Sequence, residues 1–281
     1  MSSVSELVET IEQPAFGILP ISYFEKKELK QDSYVLSNKS SIPAIHLGLI
    51  VDYCIKYILG VKLSDILHVE YAGYAEHIRV SAVKFFDSVS EQSLTQVYIE
   101  DERKNICLSD FIYKVENAET FEEFVTNMLY VIQYGDFVRN IGYAYNRIGE
   151  VFDTELSKEE LQDILIFFIR TQGWINTFEK ATPMYKFKPF GYNNTVTSGE
   201  GDFCTKYTLW DLKVSNGEPT TKDTLQLLIY YIMAKKSGNS LYKDVNSIGV
   251  YNPKLDATWI CNIEKIDPSI VNKVKGTLGF K

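Results

Sequence analysis

Gly199-Glu-Gly-Asp202-Phe-Cys-Thr-Lys-Tyr-Thr-Leu-Trp-Asp211-Leu-Lys213-Val-Ser215 is the stretch from which the architecture of this chain can be worked out. Residues 201–205 and 208–214 are β-prone runs joined at Lys206-Tyr207, the pattern of an antiparallel hairpin. Neighbours across such a hairpin approach to about 5 Å, which brings Asp202 near Asp211. Side chains two apart on a strand share a face. Asp211 and Lys213 therefore point together, and Trp210, Leu212 and Val214 point into the core. Three polar groups converge on one sheet surface.

Working outward, further short β-like segments are expected at 184–187, 195–196, 248–251 and 258–263. One helix interrupts them. Thr220 or Thr221 caps it, Leu225, Leu228, Ile229, Ile232 and Met233 form its buried stripe, and lysines with Gly238 end it. Strands, a helix, then strands imply an α/β (α+β) core, a small mixed β-sheet flanked by helices.

Upstream, residues 45–178 are mainly helical in pattern. Leu47, Ile50, Val51, Cys54, Ile55, Ile58 and Leu59 recur at three- and four-residue spacing before Gly60, the mark of an amphipathic helix with a glycine stop. Ser64 is a cap for a short successor, and residues 75–89 continue as helix. Thr120 with Glu123, and Ser157 with Glu160, form capping pairs ahead of apolar stripes over 120–148 and 157–178. The first 40 residues, broken by Pro14, Gly17 and Pro20, are expected to form an extended arm or small hairpin. Residues 1–180 are thus a mainly helical portion contributing the first core helix, and residues 181–281 the α/β core, together one compact structural unit.

The 281 residues, 45% apolar and 23% charged, suffice for a sizeable core. Apolar runs stay far below the ~20 residues that cross a bilayer. The N-terminus lacks a basic region followed by an apolar stretch, so the expected compartment is the cytoplasm. The four cysteines form no CxxC pair and there are three histidines, which excludes a zinc knuckle and disfavours a His-rich metal site. Any metal is expected to be held by oxygen. A net charge of −8 excludes a protein that coats nucleic acid by general electrostatics. It leaves room for a nuclease whose divalent cation offsets local acids.

Two carboxylates can hold one or two magnesium ions at about 2.1 Å and leave positions for a phosphate oxygen and an attacking water. Lys213 beside them can orient that water or act as a point charge on the transition state. This is chemistry suited to phosphodiester hydrolysis.

Asp202 followed by Asp211-Leu-Lys213 resembles the signature of the PD-(D/E)XK nuclease superfamily, with Glu200-Gly201 standing where the eponymous proline would be. Gln226-Leu-Leu-Ile-Tyr230 resembles the QxxxY helix of the RecB and lambda-exonuclease branch. Its spacing puts Gln226 and Tyr230 on one helix face, where they can orient Lys213 or contact the DNA backbone. The resemblance implies a restriction-endonuclease-like core and a Mg2+- or Mn2+-dependent nuclease. Its partner is nucleic acid, DNA in the first instance, and it uses no membrane; a protein partner or homo-oligomer is compatible. Asp202 and Asp211 are the implied metal ligands, with Lys213, Gln226 and Tyr230 completing the catalytic set.

The superfamily also places an acid on a helix before the core. Asp52 is the candidate, with Glu70 and Glu76 as competitors, and His46 resembles the histidine before the first helix of RecB-type domains. Glu200 is a candidate auxiliary ligand. Ser215, Thr221 and Lys222 lie where a helix N-terminus and a lysine can grip substrate phosphate. Tyr130, Tyr134, Tyr143 and Tyr145 are candidates for base stacking or, at helical spacing, for packing. The alternative to an enzyme is a non-catalytic nucleic-acid- or protein-binding module on a nuclease-like core, to which the acidic balance and the large helical portion point.

Overall fold

A computed structural model describes residues 2–37, 40–58, 60–72, 108–139, 156–177 and 184–280. Contacts divide the chain into two units, Met1–Val35 with Ile169–Lys281, and Leu36–Phe168.

The first unit is a mixed α/β assembly. Its main sheet contains β2 (Glu25–Glu28), β3 (Met184–Phe187), β5 (Gly201–Cys204), β6 (Thr208–Leu212), β7 (Ser247–Asn252) and β8 (Ala257–Asn262), in the order β2-β8-β7-β6-β5-β3. The β6–β7 pair is parallel, whereas β2–β8, β7–β8, β5–β6 and β3–β5 are antiparallel. The parallel pair needs a crossover, supplied by the helix Thr221–Lys236. At the edge, β2 reads Glu-Lys-Lys-Glu and is exposed throughout, a charged border that discourages pairing with another chain.

The crossover helix has Thr220 as N-cap and Asp223 as the reciprocating acid of a capping box. Leu225, Leu227, Leu228 and Ile229 are fully buried, each contributing about 2 kcal/mol by leaving water. They pack with Leu209, Ile248, Val250, Trp259 and Cys261 from one sheet face. The opposite face carries Trp210, Phe203 and Tyr251. Trp174 stacks on Tyr251 at 4.1 Å between centroids and meets Trp210 edge-on at 5.0 Å. Gly249, paired with Trp210, is small of necessity, because a Cβ there would lie 2.4 Å from the indole.

The N-terminal residues differ from the expected arm or hairpin. Ser2–Ser3 (β1) pairs in parallel with Val196–Ser198 (β4), and a helix, α1 (Val4–Thr10), follows under a Ser3–Glu6 capping box. Val4, Leu7 and Val8 are buried, and α1 packs on the crossover helix.

The second unit is helical where described: α2 (Ala44–Ile58), α3 (Leu63–Ile66), α4 (Leu108–Glu116), α5 (Phe121–Tyr134), α6 (Asp136–Arg139) and the start of α7 (Lys158–Asn176). Ile50, Val51 and Cys54 of α2 and Val125, Met128 and Ile132 of α5 are fully buried. Ser64 lies inside α3, whose N-cap is Lys62. The expected helix at 75–89 and the part of 120–148 beyond residue 139 lie outside the described residues. The crossover helix is α8 in chain order, and Pro268–Thr277 is α9. Among the described residues no helix is long and apolar enough to cross a membrane.

Candidate active site

Register places the two acids. Phe203 pairs with Trp210 and Cys204 with Leu209. Continuing that ladder by one residue sets Asp202 opposite Asp211, with Cβ atoms about 5 Å apart in such a pair. Asp202 Oδ2 accepts a 2.7 Å hydrogen bond from Leu212 N–H, which fixes the carboxylate against the β6 backbone.

Asp211 occupies the α8-covered face in line with Leu209, and its side chain is 9% exposed. Alternation brings Lys213 to the same side, where Nζ lies 3.1 Å from Asp211 Oδ2 and 3.2 Å from Asp223 Oδ1. Gly201 permits the hairpin to sit this deep, because a Cβ there would fall 2.2 Å from the Phe187 ring. That ring in turn meets Tyr230 edge-on at 5.7 Å.

The electrostatics are unbalanced. Burial pushes the Asp211 carboxyl above the usual carboxylate range; Lys213 pulls it back, while Asp202 and Asp223 add repulsion. Lys213 responds in the other sense: Asp211 raises its ammonium, burial opposes, and Asp223 and Asp202 reinforce the rise. Lys213 therefore stays charged, and the net penalty falls on Asp211, which bears the heavier desolvation. Asp211 Oδ2 is buried, with the Lys213 ammonium as its one ion-pair partner among the described residues. A carboxylate oxygen left in that state costs free energy. The donor set, a pair of facing carboxylates with one under-coordinated oxygen, suits a hard divalent cation. Among the described residues no three His, Cys, Asp or Glu side chains gather as a metal-binding group.

Gln226 and Tyr230 are hydrogen-bonded to each other and, through Tyr230, to the hairpin backbone. Gln226 Nε2 donates to the Tyr230 hydroxyl at 3.1 Å, and that hydroxyl donates to Glu200 C=O at 2.8 Å. Burial raises the Tyr230 phenol, so it remains a donor. Tyr192 OH donates to the preceding carbonyl, Gly199 C=O, at 3.1 Å. Two tyrosines thus hold the backbone just ahead of Asp202. The Glu200 side chain is exposed.

The other candidates fall in different surroundings. Ser215 is exposed, its Oγ donates to Gly217 C=O and its own carbonyl accepts from Asn252 Nδ2 at 2.9 Å. Thr221 opens α8 just after the capping Thr220, and exposed Lys222 is paired with Glu9. Asp52, Glu70 and His46 belong to the second unit. There Asp52 is ion-paired with Lys56, Glu70 accepts from Tyr53 OH at 3.0 Å, and His46 Nε2 lies 2.8 Å from Asp136 Oδ2. Tyr134 is buried as core. Glu76, Tyr143 and Tyr145 lie outside the described residues.

Asp223 was absent from the expected set. Its sequence signal, Thr220-Thr-Lys-Asp223, reads as a helix cap, and only the packing of α8 on β6 reveals that its second oxygen meets Lys213. No known family, curated protein or solved structure matches the chain.

Proposed function

We propose that this chain is a Mg2+- or Mn2+-dependent nuclease that hydrolyses phosphodiester bonds in DNA, on a core of the restriction-endonuclease-like kind. The observation that carries this is the buried, under-coordinated Asp211 carboxylate facing Asp202, with Lys213 3.1 Å away. Asp202 and Asp211 would hold the cation. When bound, it supplies Lewis acidity to the phosphate and to the attacking water.

The remaining work belongs to the chain. Lys213 presents three N–H donors from a charged ammonium that is one-third exposed, so it can orient water or meet negative charge developing on the phosphoryl oxygens. Asp202 is kept in place by Leu212 N–H, and its strand by Tyr230. α8 and its leucines close the site from one side and lower the local dielectric, which strengthens each of these interactions.

The test is cleavage of linear, circular and single-stranded DNA with each metal. Wild type is expected to cut, and Asp211→Ala and Lys213→Ala to lose about 10²–10³-fold or more. Cleavage unchanged in both variants would remove the site from consideration.

A further inference from the structure

Lys213 Nζ lies 3.1 Å from Asp211 Oδ2, so a cation taking that oxygen, as proposed above, would displace the ammonium. It has a second partner already in place. Asp223 divides its carboxylate between two tasks. Oδ2 accepts from Thr220 N–H and Thr220 Oγ–H, both at 2.7 Å, and closes the helix cap, whereas Oδ1 faces Lys213 Nζ at 3.2 Å. The cap fixes the χ angles of Asp223, so Oδ1 is presented to Lys213 by a group that cannot follow it. Asp223 also stands at the third position of a 16-residue helix whose following turns are buried, so this anchor is rigid. Asp211 meets the same ammonium from the β6 side at 3.1 Å, so Lys213 lies between the two carboxylates.

We propose that Asp223 is the positioning residue for Lys213: it retains the ammonium beside the reacting centre when a divalent cation displaces it from Asp211. The cation half of this statement rests on the metal-site function proposed above. Without Asp223, Lys213 has Asp211 as its one ion-pair partner among those at the site and competes with the cation for it. With Asp223, the lysine pivots on Oδ1, gives up Asp211 and stays within reach of a phosphate. Asp223 acts through Lys213 and is not itself a ligand of the cation.

Two double-mutant cycles on the full chain test this. Asp223→Asn keeps an oxygen for the cap and removes the charge, Lys213→Met removes the ammonium, and Thr220→Ala weakens the cap while leaving Asp223 charged. In metal-free protein the loss of Tm caused by Asp223→Asn is expected to vanish, or to become a gain, in the Lys213→Met background. The loss caused by Thr220→Ala is expected to be the same in both. In calorimetric titration with Mn2+, Asp223→Asn should lower affinity about 10-fold in the presence of Lys213 and less than 2-fold in the Lys213→Met background. Thr220→Ala keeps the backbone N–H bond to Asp223 Oδ2 and the Asp223 charge, so it should change Mn2+ affinity less than about 2-fold.

Additive Tm losses would show Asp223 to be a helix cap alone and overturn the proposal, whether or not metal binds. An equal loss of Mn2+ affinity in both backgrounds would overturn it differently, by showing that Asp223 acts on the cation directly. If no variant binds Mn2+ while the Tm cycle is non-additive, the metal-site function fails and the transfer from Asp211 fails with it. The ion pair itself would then stand as Asp223's contribution.

Discussion

The same unit contains two partly buried charge clusters that could hardly be built more differently. In one, Arg170 donates through Nε and Nη2 to both oxygens of Asp32, each at 2.7 Å, and through Nη1 to Pro253 C=O at 3.0 Å. Nearby Asp256 takes Gln31 N–H at 2.6 Å and Gln31 Nε2 at 2.7 Å. Each guanidinium nitrogen has a partner, and the planar fork matches the carboxylate. In the other, a single lysine faces three acids, and a buried oxygen of Asp211 has that ammonium as its one ion-pair partner among the described residues. Satisfied polar clusters hold structure together; a cluster left short of partners stores free energy that a ligand can release. The first ties the segment after β2 to the β7–β8 turn, and the second has the character of a site.

That contrast can be broken by substitution. Asp211→Ala and Lys213→Ala should reduce cleavage by about 10²–10³-fold or more with the fold intact, whereas Arg170→Ala should cost about 1–3 kcal/mol of stability by removing its hydrogen bonds to Asp32 and Pro253 C=O. Cleavage assays and chemical denaturation of the same three variants check both halves.

The pH signatures should be opposite. The Arg170 hydrogen bond holds the Asp32 carboxyl below its ordinary range, so its stabilisation is present above about pH 4 and is lost as pH falls through the lowered value. Asp32→Asn should therefore destabilise by about 1–3 kcal/mol at pH 7, with the gap closing in acid. The raised Asp211 carboxyl works the other way. Its favourable contribution exists below about pH 4 and is lost as pH rises through the raised value. Metal-free Asp211→Asn should consequently melt above wild type at pH 8, by on the order of 1 kcal/mol, and the advantage should narrow toward pH 5. Thermal melts across that range decide it. For the same reason Mn2+ affinity should decline on acidification well before ordinary carboxylates protonate, as calorimetry at pH 8 and pH 5 will show.

The smallest effect is expected at the scaffold. Tyr230→Phe removes the hydrogen bond to Glu200 C=O and should cost about 1 kcal/mol of stability with less than about a 10-fold loss of cleavage. A larger loss of cleavage without loss of stability would move Tyr230 from support into the chemistry.

What the sequence disclosed follows the range of the interactions involved. The hairpin, the Asp211–Lys213 face and the Gln226–Tyr230 pair depend on neighbours two to ten residues apart, and strand alternation or helix periodicity is enough to find them. The partners of β2, of Arg170 and of α1 lie far along the chain, where no local period points. The α1 helix did carry a local sign, Ser3-Val-Ser-Glu6, obscured by Pro14 and Gly17 beyond it. Asp223 was hidden for a different reason: one carboxylate serves two purposes, and a sequence shows the nearer one.

The most direct measurement is a crystal structure of the full chain soaked in Mn2+, with the ion located by anomalous scattering. One ion is expected at about 2.1 Å from carboxylate oxygens of both Asp202 and Asp211, with Lys213 moved off Asp211 and still in contact with Asp223. No ion at this position, with Lys213 still 3.1 Å from Asp211 Oδ2, would contradict the account.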